Sequence, residues 1–106
     1  MEVKEISVQE LQKLRANKSD FLLLDVREQQ EYDLCNLGGK LIPLGQLTQR
    51  LSELNPKQAI VVHCKSGGRS RRAVELLQSH GFSNVSNLRG GIGAWATEID
   101  PTMAKY

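Results

Sequence analysis

No apolar run in this 106-residue chain approaches the length of a membrane span, so no membrane segment is expected. There is no excess of one charge: 14 Lys and Arg face 12 Asp and Glu, for a formal net charge of +2. That balance is too small to imply nucleic acid or an anionic membrane surface as a partner. Cysteine is scarce, with two residues, and the opening Met1-Glu2-Val3-Lys4-Glu5 carries no apolar secretory core. The pair therefore reads as free thiols in a reducing cytoplasm rather than a disulfide framework. The two cysteines and two histidines have no zinc-ligand spacing, so neither a metal nor another cofactor is expected. No linker, repeat or low-complexity tract interrupts the sequence, and residues 1–106 are expected to form one domain around one core.

What is present is organised around Ala59-Ile60-Val61-Val62-His63-Cys64-Lys65-Ser66-Gly67-Gly68-Arg69-Ser70. The β-branched run reads as a strand buried on both faces. It delivers Cys64 into a Gly-Gly loop, and a helical pattern follows from about Ser70 to His80. A cysteine facing a helix start meets open backbone N–H groups and the positive end of the dipole, both of which favour its thiolate. Gly67 and Gly68 let the loop curl with its amides inward, as an anion nest, and Lys65 and Arg69 add positive charge. Arg69, Arg71 and Arg72 oppose the macrodipole in the first helical turn, where a stability-driven sequence would carry Asp or Glu. Lowering a thiol pKa by about two units requires roughly 2.7 kcal/mol. Amides, helix terminus and two cations together could supply it without a separate base.

Val3–Ile6 reads as a first strand. Ser7-Val8-Gln9-Glu10 is a capping box, and Leu11 and Leu14 mark the apolar face of the helix it opens. Phe21–Leu24 is a second buried strand. Asp25 and Arg27 follow at its carboxyl end, the edge where open parallel sheets bind ligands, and read as an ion-pair network fixing the turn. Glu28–Asp33 is a short helix and Leu41–Pro43 a short strand. Leu44, Leu47, Leu51 and Leu54 predict a helix with one apolar stripe. His63, next to Cys64 on a strand, points to the opposite face and reads as a packed or hydrogen-bonded residue rather than a base. Gly81 is expected to stop the long helix, with Phe82 packing back on its last turn. Val85–Leu88 is a last strand, and Gly90-Gly91 turns into a short helix anchored by Trp95. Strands alternating with helices predict an α/β three-layer domain with a mainly parallel, five-stranded sheet.

Cys64-Lys65-Ser66-Gly67-Gly68-Arg69-Ser70 resembles the Cys-x-x-Gly-x-Arg-Ser active-site loop of the rhodanese (sulfurtransferase) family. Leu24-Asp25-Val26-Arg27-Glu28 with Glu31-Tyr32, and Leu88-Arg89-Gly90-Gly91-Ile92-Gly93-Ala94-Trp95, resemble that family's first and last signatures, in the same order. The chain departs from the common pattern at Cys35-Asn36, where Gly-His is usual. Cys35 reads either as a small packing residue or as a resolving thiol for a Cys64 persulfide. The tail from Trp95 to Pro101, ending at Tyr106, is similar to the end of bifunctional adenylyltransferase/sulfurtransferases. Those proteins carry a C-terminal rhodanese domain and activate ubiquitin-like sulfur carriers in molybdopterin and related biosynthesis.

The resemblance implies an α/β/α rhodanese-like fold and sulfur transfer. Cys64 would attack a small anionic donor such as thiosulfate, or a protein persulfide, and carry the sulfur to a thiophilic acceptor. Ser66, Gly67, Gly68 and Ser70, with Lys65 and Arg69, would hold the anion. Two rivals stay open. One is a cysteine phosphatase or arsenate reductase, whose loops space Cys and Arg by five residues against four here. The other is a rhodanese-like module that only binds partners.

Overall fold

The β-branched run ahead of Cys64 becomes the middle strand of a five-stranded sheet in a computed structural model that describes residues 2–106; Met1 lies outside them. The strands are β1 (Glu5–Ile6), β2 (Leu22–Asp25), β3 (Lys40–Leu41), β4 (Ile60–His63) and β5 (Val85–Leu88), in spatial order β1-β5-β4-β2-β3. Every pairing is parallel, which sharpens the expectation of a mainly parallel sheet. β4 is flanked by β2, with Asp25 opposite His63, and by β5, with Asn87 opposite Val62. Parallel neighbours need crossovers. Helices α1 (Val8–Ala16), α2 (Gln29–Leu34), α3 (Gly68–Ser79) and α4 (Gly91–Glu98) fill the layers around the sheet.

The two faces of β4 feed separate cores. Ile60, Val62 and Cys64 point toward α3 and pack with Ala73, Val74 and Leu77. Val61 points the other way, into a core with Val8, Leu11, Leu88, Ile92 and Trp95 from α1, β5 and α4. This period-two alternation fixes which face each residue after Val62 will serve. Each fully buried Leu or Ile contributes about 1.5–3 kcal/mol, so a one-residue register slip would exchange both cores at once.

Local signals set the helix ends. Ser7 Oγ accepts from the Glu10 N–H at 3.1 Å and Glu10 Oε1 accepts from the Ser7 N–H at 3.0 Å, completing the capping box on α1. At the end of α3, Gly81 takes φ +88°. The Phe82 N–H then donates to the Leu77 carbonyl and the Gly81 N–H to that of Gln78, the paired bonds of a Schellman motif.

The stripe from Leu44 to Leu54 does not form an α-helix. It forms two 3-10 helical stretches, Leu44–Gln46 and Thr48–Glu53, with Arg50 out of helical geometry at φ −117°, ψ 16°. Leu44 and Leu47 are three residues apart, as are Leu51 and Leu54, and that spacing suits three residues per turn as well as it suits an α-helix. Burial of Leu47 and Leu54 settles the local geometry. The first strand is also shorter than expected, and α3 begins at Gly68 rather than Ser70, which brings Gly68 and Arg69 into its first turn.

Candidate active site

Cys64 leaves the carboxyl end of β4 on the α3 face and is 1% exposed. The conformation of its loop is imposed from α4. The amides of Ile92 and Gly93 donate to the carbonyls of Cys64 and Lys65, each at 2.9 Å. With those carbonyls drawn off, the following amides are left to face the sulfur. Gly91 permits the approach: a Cβ there would lie 2.5 Å from the Cys64 carbonyl oxygen. Gly67, at φ +113°, makes the turn that no side-chain-bearing residue adopts readily.

The Gly67 N–H donates to Cys64 Sγ at 3.1 Å, the Ser70 N–H at 3.4 Å and the Ser70 hydroxyl lies at 3.3 Å. Burial pushes the Cys64 thiol up, but the Ser70 hydroxyl and the amides of Ser70, Gly67 and Ser66 outweigh it, and the net direction is below the ordinary thiol range. Hydrogen bonds at a helix start therefore do most of the work that the sequence divides between amides and cations. The site is a buried sulfur in an anion nest.

The cations stand one step back. Arg69 meets Glu31 of α2 in a two-pronged pair, Nη1 to Oε1 at 2.7 Å and Nη2 to Oε2 at 2.9 Å. That pair, with smaller help from the Glu28 amide and the Tyr106 hydroxyl, holds the Glu31 carboxyl down at about 2. The Tyr106 hydroxyl donates to Glu31 Oε2 at 2.8 Å, while Lys65 Nζ lies 4.6 Å from the centre of the Tyr106 ring. Lys65, Ser66 and Gly68 are exposed at the mouth, and Ser70 is buried beneath it. Glu31 and Tyr106 were not singled out as site residues from sequence. Glu31 carried a signal, since it stands in the first signature stretch; the partner 38 residues away did not announce itself.

The family model described as "Rhodanese-like domain" matches residues 7–98. The chain belongs to the rhodanese-like family. A sulfurtransferase of Allochromatium vinosum is 37% identical over 108 residues, covering 96% of this chain and 96% of that protein. The adenylyltransferase and sulfurtransferase MOCS3-2 of Zea mays is 34% identical over 109 residues, covering 95% of this chain and 23% of that protein. The chain thus spans well under half of the larger curated relatives it matches. Among solved structures, a rhodanese-like domain protein from Staphylococcus aureus superposes with a TM-score of 0.81 at 29% identity, over 88% of this chain and 91% of that one.

Beneath the loop, the rhodanese-like domain carries a buried ion pair. Asp25 and Arg27 are both 0% exposed, and Arg27 Nη2 meets Asp25 Oδ2 at 2.7 Å while Nε reaches Oδ1 at 3.0 Å. The remaining guanidinium hydrogens donate to the Cys35 carbonyl at 2.8 Å, the Tyr106 hydroxyl at 2.9 Å and the Glu31 carbonyl at 3.4 Å. Arg27 thereby ties the end of β2 to the end of α2 and to the tail. Cys35 packs at the edge of the α1/α4 core, whereas Cys64 belongs to the core on the α3 side of the sheet. Cys35 is partly buried and shares a small cavity with Lys65 and Tyr106.

His63 is fully buried, and neither ring nitrogen has a hydrogen-bond partner. Nε2 lies 3.7 Å from Asp25 Oδ2, but burial, opposed by the Asp25 charge, takes the ring down to about 4 from an ordinary 6.5. His63 is therefore neutral, and the contact is not an ion pair. Unfolding exposes a ring that protonates more readily, so the unfolded chain binds more protons between those values. Stability from this residue is complete above pH 6.5 and declines as pH falls toward 4. His63→Leu should flatten the dependence of urea-unfolding stability over that window. It should spare the further loss that arises lower, where Glu31, held at about 2, becomes protonated. An unchanged slope between pH 6.5 and 4 would assign the effect to other groups.

Proposed function

We propose that this domain transfers a sulfane sulfur through a persulfide on Cys64. The observation that carries the proposal is the free, buried Cys64 sulfur ringed by three amides and one hydroxyl. The Cys64 thiolate attacks the outer sulfur of thiosulfate, or of a protein persulfide. A new S–S bond forms as the donor's own bond breaks, and sulfite or a thiolate departs with the electron pair. No oxidant is consumed. The outer sulfur then carries the negative charge, facing the loop amides of residues 65–69. A thiophilic acceptor attacks that sulfur and Cys64 leaves as a thiolate.

Two features favour this chemistry over phosphoryl or arsenate chemistry. Cys64 is 1% exposed, so a donor must present a slim terminal atom. Only residues 65 to 68 separate Cys64 from Arg69, a tight loop for a tetrahedral oxyanion. Lys65 and Arg69 would attract the anionic donor and steady the leaving group. The acceptor we propose is a ubiquitin-like sulfur carrier, a reading that rests on the resemblance of the tail to adenylyltransferase/sulfurtransferases. A reducing compartment such as the cytoplasm would keep both thiols available.

Intact-protein mass spectrometry after thiosulfate treatment tests this directly. The expected result is a gain of one sulfur atom, mapped to Cys64 and removed by cyanide. Failure of both thiosulfate and a persulfide-bearing protein to load Cys64 would overturn the proposal and leave a partner-binding module.

A further inference from the structure

The Ser70 hydroxyl has one hydrogen and three acceptors within reach. They are Cys64 Sγ at 3.3 Å, the Gly67 carbonyl at 3.2 Å and Asn87 Oδ1 at 2.5 Å. Asn87 sits on β5, 2% exposed. Its amide is oriented from behind: Nδ2 donates to Glu5 Oε2 at 3.1 Å and to the Gly67 carbonyl at 3.3 Å. The amide oxygen is thus turned toward Ser70. A buried acceptor placed in competition with the sulfur works against a permanently stabilised thiolate. It makes sense only if the charge on Sγ comes and goes.

We propose that Asn87 is a positioning residue that holds the Ser70 hydroxyl hydrogen bond whenever Sγ is uncharged and yields it whenever Sγ is charged. The inference rests on the sulfur-transfer reading, because that reaction alternates the two conditions. In the attacking thiolate Sγ is negative, and the hydroxyl points to it. In the persulfide Sγ is bonded to two atoms and neutral, the charge has moved to the outer sulfur, and the hydroxyl turns to Asn87 Oδ1. When the outer sulfur is handed on, Sγ becomes the leaving thiolate and the hydroxyl returns. The Ser70 O–H bond is never broken; only its direction changes. Asn87 keeps Ser70 satisfied in the neutral state, so the hydroxyl does not hold Sγ in one form.

The test is a double-mutant cycle read by the pH dependence of Cys64 alkylation with iodoacetamide. The charged groups around the sulfur are Arg69 with Glu31 behind it, Lys65 at the mouth and Glu5 beyond Asn87, and all are retained. In Asn87→Leu the hydroxyl loses its closest alternative acceptor, and its population shifts toward the sulfur, with only the Gly67 carbonyl left to compete. The alkylation midpoint should move to lower pH, with about fivefold faster reaction below the midpoint. In a Ser70→Ala background the same substitution should do nothing. Asn87→Asp, similar in size to the native residue, carries the test if the leucine variant does not fold. Its stronger acceptor should raise the midpoint by more than it does in the Ser70→Ala background, where only its charge acts. A leucine-variant midpoint that rises or stays put, or a shift of either variant that is equal in both backgrounds, overturns the proposal.

A second arm reads the loaded state. At a fixed thiosulfate-to-sulfite ratio, Asn87→Leu should lower the persulfide-bearing fraction by a similar factor, because the neutral-Sγ state has lost its closest partner. An undiminished fraction overturns the alternation. The alkylation arm concerns the free thiol and stands whether or not a persulfide forms. A wild-type protein that no donor can load therefore counts against sulfur transfer, while the cycle still decides whether Asn87 acts through Ser70.

Discussion

Cys64→Ser is expected to lower thiosulfate-to-cyanide sulfur transfer by at least about a thousandfold, the scale on which losing a nucleophile acts. Serine fits the space, and the loop amides would still face its oxygen. What is lost is a group that ionises near neutral pH and bonds to sulfane sulfur. Cys35 is partly buried against the α1/α4 core and is not expected to take over the role of Cys64. Cys35→Ser is accordingly expected to retain turnover within about threefold of wild type, a small effect on the scale of 1.4 kcal/mol per tenfold. Both are read from steady-state thiocyanate formation. A Cys64→Ser protein within tenfold of wild type would remove Cys64 from the chemistry.

The second large effect is on stability. Asp25→Ala leaves the Arg27 guanidinium buried with its carboxylate gone. Breaking a buried pair by removing one partner costs about 3–5 kcal/mol, against a whole-domain stability of about 5–15 kcal/mol. The desolvation of Arg27 is tolerated in the native protein because Asp25, the Cys35 carbonyl and the Tyr106 hydroxyl share it. Urea unfolding should show a midpoint shift of that size with little change in slope. The exposed Arg50–Glu53 pair offers a control: Glu53→Gln should leave the midpoint nearly where it was, because solvent screens such pairs. An Asp25→Ala loss below about 1 kcal/mol would mean that water reaches Arg27 in the native state.

The parts of this fold that could be read from the chain are those whose causes are local. Ser7 and Glu10 lie three residues apart and cap α1; Val85–Leu88 is strand in both sequence and structure; Gly81 and Phe82 close α3 as their order requires. The leucines from 44 to 54 misled because spacings of three and four fit more than one helical period, and burial makes the choice. At the site, Cys64 and its glycines were legible because a strand, a loop and a helix follow one another without interruption. Asn87 was not, since it meets the loop only through the folded sheet order, and Glu31 showed its place in a signature stretch but not its partner. Arg69 illustrates the difference: its charge is plain in the sequence, but its engagement with Glu31 depends on where α2 docks. The arginine at the mouth is thus already partly neutralised before any donor arrives.

The grip of α4 on the loop also bears on how the protein is made. The amides that turn away the Cys64 and Lys65 carbonyls belong to Ile92 and Gly93, which follow the loop in sequence. Synthesis proceeds from the N-terminus, so Cys64 leaves the ribosome before the residues that shape its surroundings. Until α4 docks, the thiol sits in a loop whose amides have no imposed direction. The hydrogen-bonded surroundings of the sulfur are thus completed only when α4 takes its place.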